Sequence, residues 1–244
     1  MNRVLLNNVD HSDLKVAILH GAAFGDEANR VPLFPSEFAE AQRDFPIVFR
    51  RAEDGIDAFA LLGFERGENL SFDNGAWTSR YVPAIQRRGP FSIALARADP
   101  DARPEEETGG ELMIHVDLDD PRVGADGGVP MFLDHGGNAA YLDHIGDVLR
   151  IIFDGVQNAR AINAALDAAG LLHDVAISID AGDAGTFELT DLLTIDQAAL
   201  AALTGGALDR LHRAGLLQAA VMAAASLGNL PALIERKSRR AASR

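Results

Sequence analysis

The sequence predicts an α+β fold: a β-rich N-terminal part with an inserted helix, then a helical C-terminal part with an embedded β-hairpin. Three observations carry this. Up to about residue 135 the apolar residues come in short runs broken by Gly, Pro, Asn and Asp, as in strands joined by turns. From Leu142 onward they recur at helical spacing, as Leu142, Ile145, Val148, Leu149, Ile152 and Phe153. Hydrophobic residues make up 48% of the 244, enough to fill a core without covalent staples.

In order along the chain, Val4 to Leu6 and Leu14 to Leu19 are short apolar pieces among loop residues, and the prolines hold Val31-Pro32-Leu33-Phe34-Pro35 extended. SEFAEAQRDF, from Ser36, has a capping candidate in Ser36 and strong helix formers behind it, and Pro46 stops it. Phe45 to Phe49 and Ala58 to Phe64 read as a strand pair around the polar RAEDGID. Asn74-Gly75 suits a hairpin turn, because both residues tolerate positive φ. Phe91 to Ala96 and Glu111 to Leu118 are strand-like and flank a polar, acidic loop or linker at 99–110. Val129 to Leu133 is a short apolar run before a tight turn, Asp134-His135-Gly136-Gly137.

The helical spacing beginning at Leu142 continues through Ile162, Leu166 and Ala169 to Gly170. Val175 to Ile179 and Thr186 to Leu193 flank AGDAG as a hairpin, and Thr194 with Gln197 fits a capping box for the next helix. A further helix follows Gly205-Gly206, and its buried stripe runs to Gly228 before NLPALIERK adds a last turn or two. No tandem repeat is present. The expected organisation is one continuous unit over 1–244, β-rich to about 135 and helical to about 237, with a basic tail at 238–244.

Composition excludes several functions. With no Cys there is no disulfide framework, thiolate nucleophile or Cys-based metal site. A formal net charge of -14 opposes broad binding to a nucleic-acid polyanion. The basic C-terminal end (Arg236, Lys237, Arg239, Arg240, Arg244) reads as a solvated helix end. The N-terminal apolar run is too short for a secretory signal and no apolar run approaches membrane-spanning length, so a cytoplasmic location is expected.

Against this acidic background one stretch is unusual. Trp77 to Phe91, WTSRYVPAIQRRGPF, holds the single Trp, one of two Tyr, and three Arg. Arg binds carboxylate or phosphate at two points, and an aromatic wall beside it can shelter an acidic peptide or small anion. Trp77, Arg80, Tyr81, Arg87, Arg88 and Phe91 are therefore the candidate ligand- or partner-binding residues; equally, the aromatics are core and the arginines pair with the many acids.

Catalytic patterns are sparse. There is no nucleophile elbow, P-loop or dinucleotide fingerprint. The sharpest pattern is His115-Val116-Asp117, which with His135 or His144 would make a two-His, one-carboxylate set for a non-haem metal. Asp117, Asp119 and Asp120 read as a solvated acidic turn or a hard-cation site without EF-hand spacing. Glu105 to Glu107 lie in a polar loop that leaves them ordinary.

Many short features stand in the order found in the SapC-like family, which the chain resembles over nearly its whole length. They include His11 to Val16, Val31-Pro32, Glu37-Phe38, Phe45-Pro46-Ile47-Val48-Phe49, Ala60-Leu61-Leu62-Gly63, Trp77, Tyr81-Val82-Pro83-Ala84, Arg87-Arg88, Pro90-Phe91, Phe132, Ile195-Asp196 and Ser226-Leu227. Two departures stand out: Gly89 replaces the family's usual Tyr, and Leu133 fills an acidic position, with Asp134 following. The family's matching strand keeps the Asp of His115-Val116-Asp117 better than the His, so the resemblance gives that His no support.

The family name comes from a link with surface-layer protein export, and relatives occur beside TonB-dependent receptors and flavin-dependent halogenases in Gram-negative bacteria. Neither association defines a reaction; the leading expectation is a non-catalytic accessory or binding protein, without cofactor, that works with a protein partner such as a halogenase or an envelope transport component. The competing expectation is a small-molecule metalloenzyme using His115, Asp117 and His135.

Overall fold

The computed structural model describes residues 2–95 and 112–242. The loop read over 99–110, with Glu105 to Glu107, lies outside the described residues, as do Ala96, Glu111 and Arg244. The fold is α+β with antiparallel sheets. Strand-rich and helical stretches follow one another as read, but the compact units cut across that order. One unit comprises Met1–Leu19 and Arg87–Phe153; the other comprises His20–Gln86 and Asp154–Arg244.

The first unit is built on a three-stranded sheet in which Leu112–Asp117 lies between Arg3–Leu5 and Phe91–Leu95. Val116 stands opposite both Val4 and Phe91. Because side chains alternate along a strand, Val116 faces the core while His115 and Asp117 share the other face. Val116 and Phe91 pack with Met131, Phe132, Leu142, Ile145 and Leu149, the last three from the start of the Ala140–Ala168 helix. A second ladder pairs Lys15–Val16 with Val129–Pro130.

The second unit holds a five-stranded sheet in the order Leu172–Asp180, Thr186–Ile195, Ile47–Ala52, Gly55–Leu61, Arg30–Pro32. The hairpin embedded in the C-terminal part therefore joins the N-terminal strand pair, with Leu193 opposite Phe49. Apolar side chains of the sheet, Phe38, Phe45, Leu166 and the Leu216–Ser226 helix form its main core.

Several elements differ in detail from the sequence reading. The Ser36 helix is only a 3-10 turn, Pro35–Glu37, followed by Phe38–Ala41, and Ser36 is not its cap. Pro35 has its φ preset for the first helical position, and the Glu37 carboxylate reaches back to the Phe34 N–H at 3.0 Å. The strand pair turns at Glu53-Asp54 because Ala52 faces Gly55, so much of RAEDGID is strand, with Arg51 and Ala52 exposed and Ile56 buried in the core. Asn74 and Gly75 do form a turn, at φ 50 and 80. At the later capping box the cap is Asp196, which accepts from Ala198 and Ala199 at 2.9 Å; Thr194 and Ile195 are still paired in the hairpin.

Gly228 does not end the last helix. Leu216–Ser226, a 3-10 turn at Leu227–Asn229 and Leu230–Ala242 follow without a break, a stretch whose length and hydropathy would allow it to cross a membrane. Here Leu216, Ala219, Ala220, Ala223 and Leu233 are buried within the second unit. Its basic end is anchored rather than solvated. Arg240 donates to the carbonyls of Asn69 and Phe72 at 2.9 and 2.7 Å, and Arg236 to the Ser71 hydroxyl at 2.8 Å. Lys237 lies over the Phe187 ring and bonds both Glu65 and Glu68.

Burial pulls the Lys237 pKa down, but the hydrogen bonds and charges of Glu65 and Glu68 outweigh it and hold it above the usual lysine value. A raised folded pKa means that this stabilisation is fully present below the unfolded value of about 10.4 and fades as pH climbs through the folded value. Lys237→Met is expected to cost about 2–3 kcal/mol at pH 8, less than a fully buried pair because Glu65 is exposed. Urea titrations at pH 8 and pH 11 should show the gap to the unaltered protein narrowing at the higher pH.

Candidate functional site

The stretch singled out from the sequence is divided between the units: Trp77, Arg80 and Tyr81 belong to the second, Arg87, Arg88 and Phe91 to the first. In the second unit two buried acids organise the aromatics. Asp26, 1% exposed, accepts the Trp77 indole N–H at 2.9 Å and the Gly21 N–H at 2.8 Å, with His20 Nδ1 at 3.3 Å. The indole stands edge-on to Phe45 and Phe72. Glu37, 2% exposed, accepts the Tyr81 hydroxyl and the Ala84 N–H, each at 2.7 Å, as well as the Phe34 N–H.

Arg80 pairs with Asp44 at 3.2 Å and donates to the Arg43 carbonyl at 2.9 Å, while the other Asp44 oxygen accepts the Tyr81 N–H. Trp77, Arg80 and Tyr81 therefore brace the second unit's own loops. Neither Asp26 nor Glu37 is among the site residues the sequence suggests, although Glu37 is one of the family features. Glu37 carried a signal, an acid between Pro35 and Phe38 beside an apolar run; Asp26 carried none.

In the first unit Phe91 is fully buried opposite Val116. Arg88 is half-buried, and its Nη1 lies 3.4 Å from the Phe91 carbonyl. Burial first, and then the positive charges of Arg3 and Arg122, pull its pKa below the usual arginine value. Arg122 holds Asp120 through two bonds of 2.9 and 2.7 Å, and that hydrogen bonding pushes the Asp120 carboxyl below its ordinary range. Burial pushes the Tyr141 phenol up, and the Arg122 charge opposes this.

His115 and Asp117 share one face of Leu112–Asp117, as their spacing implied. The Asp117 Oδ1 accepts the N–H groups of Asn2 and Asp119 at 2.8 and 3.2 Å, so this carboxylate shapes the strand end. His135 is exposed in the turn after Phe132. Among the described residues no group of three or more His, Asp or Glu side chains is arranged to hold a metal ion. The second unit has an apolar cleft of about 320 Å³ along Phe38, Ile162, Leu216 and Met222; the first has a polar groove bordered by Asp13, Lys15, Asp126 and Asp134.

Comparison with curated proteins and with solved structures returned no match. The family comparison did: the SapC family model matches residues 6–233, a span that takes in most of both units and every candidate residue read from the sequence. The chain is a member of the SapC family.

Proposed function

We propose that this SapC-family chain is a non-catalytic accessory or binding protein of the cytoplasm. It serves an envelope transport or surface-modification system by engaging a protein partner, such as a flavin-dependent halogenase or an envelope transport component. The observation that supports a binding role is how the buried acids are used. Asp26 and Glu37 are the two buried carboxylates in the described residues, and each is surrounded by donors fixed in the backbone or in packed aromatic rings. Such carboxylates hold loops in place and have no substrate-facing proton to move.

Native mass spectrometry of the protein purified gently from its own host, after cross-linking in the cell, tests this reading. The expected spectrum shows the chain bound to a second protein. A stoichiometric metal or cofactor adduct on a monomer or homo-oligomer, lost on Asp117→Ala, would overturn it in favour of the metalloenzyme. A chain recovered alone after cross-linking would overturn it as well.

A further inference from the structure

Three arginines distant in sequence meet at one end of the first unit's three-stranded sheet. Arg3 lies on the edge strand opposite Asp117. Asp117 donates its N–H to the Pro90 carbonyl, two residues from Arg88. The chain then turns through Asp120, whose N–H bonds the Asp117 carbonyl, and so brings Arg122 to the same end. Tyr141 comes in from the start of the Ala140–Ala168 helix; its hydroxyl lies 3.9 Å from where a Cβ on Gly89 would stand.

The cations at this end are not all paired. Arg122 is matched by Asp120. Among the described residues neither Arg3 nor Arg88 has an ion pair, and the Tyr141 hydroxyl has no hydrogen bond. Asp117, across from Arg3, turns Oδ1 to the Asn2 and Asp119 N–H groups instead. In a chain with 36 Asp and Glu against 22 Lys and Arg, a half-buried guanidinium set beside like charges and in no ion pair among the described residues is conspicuous. Burying an uncompensated charge is costly, and a bound anion removes that cost.

We propose that Arg3, Arg88, Arg122 and the Tyr141 hydroxyl form an anion-binding site that takes a dianionic phosphate group. Two cations without an ion pair among the described residues match a dianion. The donors come from an edge strand, the turn before one strand, the turn after another and a helix start, so they approach from several directions. A tetrahedral phosphate has enough oxygens to meet them all, whereas a planar carboxylate offers two. The depressed Arg88 pKa agrees with a cation waiting for its counter-charge. This site stands independently of the accessory role.

Isothermal titration of the full chain at pH 8 and low chloride tests the proposal with inorganic phosphate, phenyl phosphate and malonate. Both phosphates are expected to bind and malonate to bind more weakly; the stronger phosphate tells a free ion from a phosphomonoester. Arg88→Gln and Arg3→Gln should each weaken phosphate by about tenfold or more, and Tyr141→Phe by a few-fold. Arg213→Gln, in the second unit, should leave binding unchanged. Arg88→Gln should also match or exceed the unaltered protein in melting temperature without phosphate, because a half-buried cation is gone. Absence of phosphate binding, equal binding of malonate, or full affinity in both arginine variants would each overturn the site. Arg3 is exposed on an edge strand, so its variant keeps the test valid should Arg88→Gln fold poorly.

Discussion

Asp26→Ala is expected to destabilise the second unit by about 3–5 kcal/mol. The reason is asymmetry. The substitution removes one acceptor but strands several donors: the Trp77 indole N–H and the Gly21 N–H lose their partner, and His20 loses its contact. Each buried donor left unsatisfied costs about 1–3 kcal/mol, and water has little access to a side chain 1% exposed. Asp26→Asn should recover little, since its amide must turn its own N–H groups toward existing donors. Trp77 is the single tryptophan and sits in this unit, so its fluorescence reads the transition directly. For a chain of this size the melting temperature should fall by roughly 6–20 °C. A shift of under a degree would show that Asp26 does not organise the Trp77 loop.

Gly155→Ala should destabilise by about 2–4 kcal/mol, although glycine to alanine within a helix ordinarily gains about 1 kcal/mol. Two effects compete here, and the distances decide between them. A Cβ on Gly155 would stand 2.2 Å from Phe34 Cγ and 2.8 Å from Phe34 Cβ. Because the stem of that side chain clashes as well as its ring, rotation alone gives no relief. Phe34, itself buried, would have to leave its place, and that loss exceeds the helical gain. Gly146 lies in the same helix with nothing within 4 Å of the added Cβ, so Gly146→Ala should be neutral or stabilising by up to about 1 kcal/mol. Calorimetry on the pair gives opposite signs if packing against Phe34 is the cause and the same sign if it is not.

Periodicity made much of the fold legible. The Leu142 stripe, the Asn74-Gly75 turn and the hairpin around AGDAG all depend on neighbours within a few residues, which the sequence displays. Local pattern misleads where a distant partner takes part. Thr194 fits a cap by its local pattern, but pairing with His173 keeps it in the strand and Asp196 caps instead. The polarity of RAEDGID suggests a connecting segment, yet a hairpin end whose exposed side chains flank one buried residue, Ile56, is polar too. Arg236, Lys237 and Arg240 suggest a solvated end because helix ends usually are, and the hydroxyl, acids and backbone carbonyls they meet lie more than 150 residues earlier.

The same boundary runs through the candidate site. Trp77, Tyr81 and Arg88 were visible as residue types out of keeping with an acidic chain, but composition is silent on what each one faces. Asp26 and Glu37 settle that for the aromatics, through hydrogen bonds across 51 and 44 residues. By itself the sequence determined the α+β class, the order of elements and the family, since local spacing and ordered short motifs carry that information. Only the tertiary structure decided that the units are each assembled from two separated stretches, and that Arg3, Arg88 and Arg122 meet at one sheet end. Antiparallel pairing joins strands of any separation along the chain, and no local pattern names the partner.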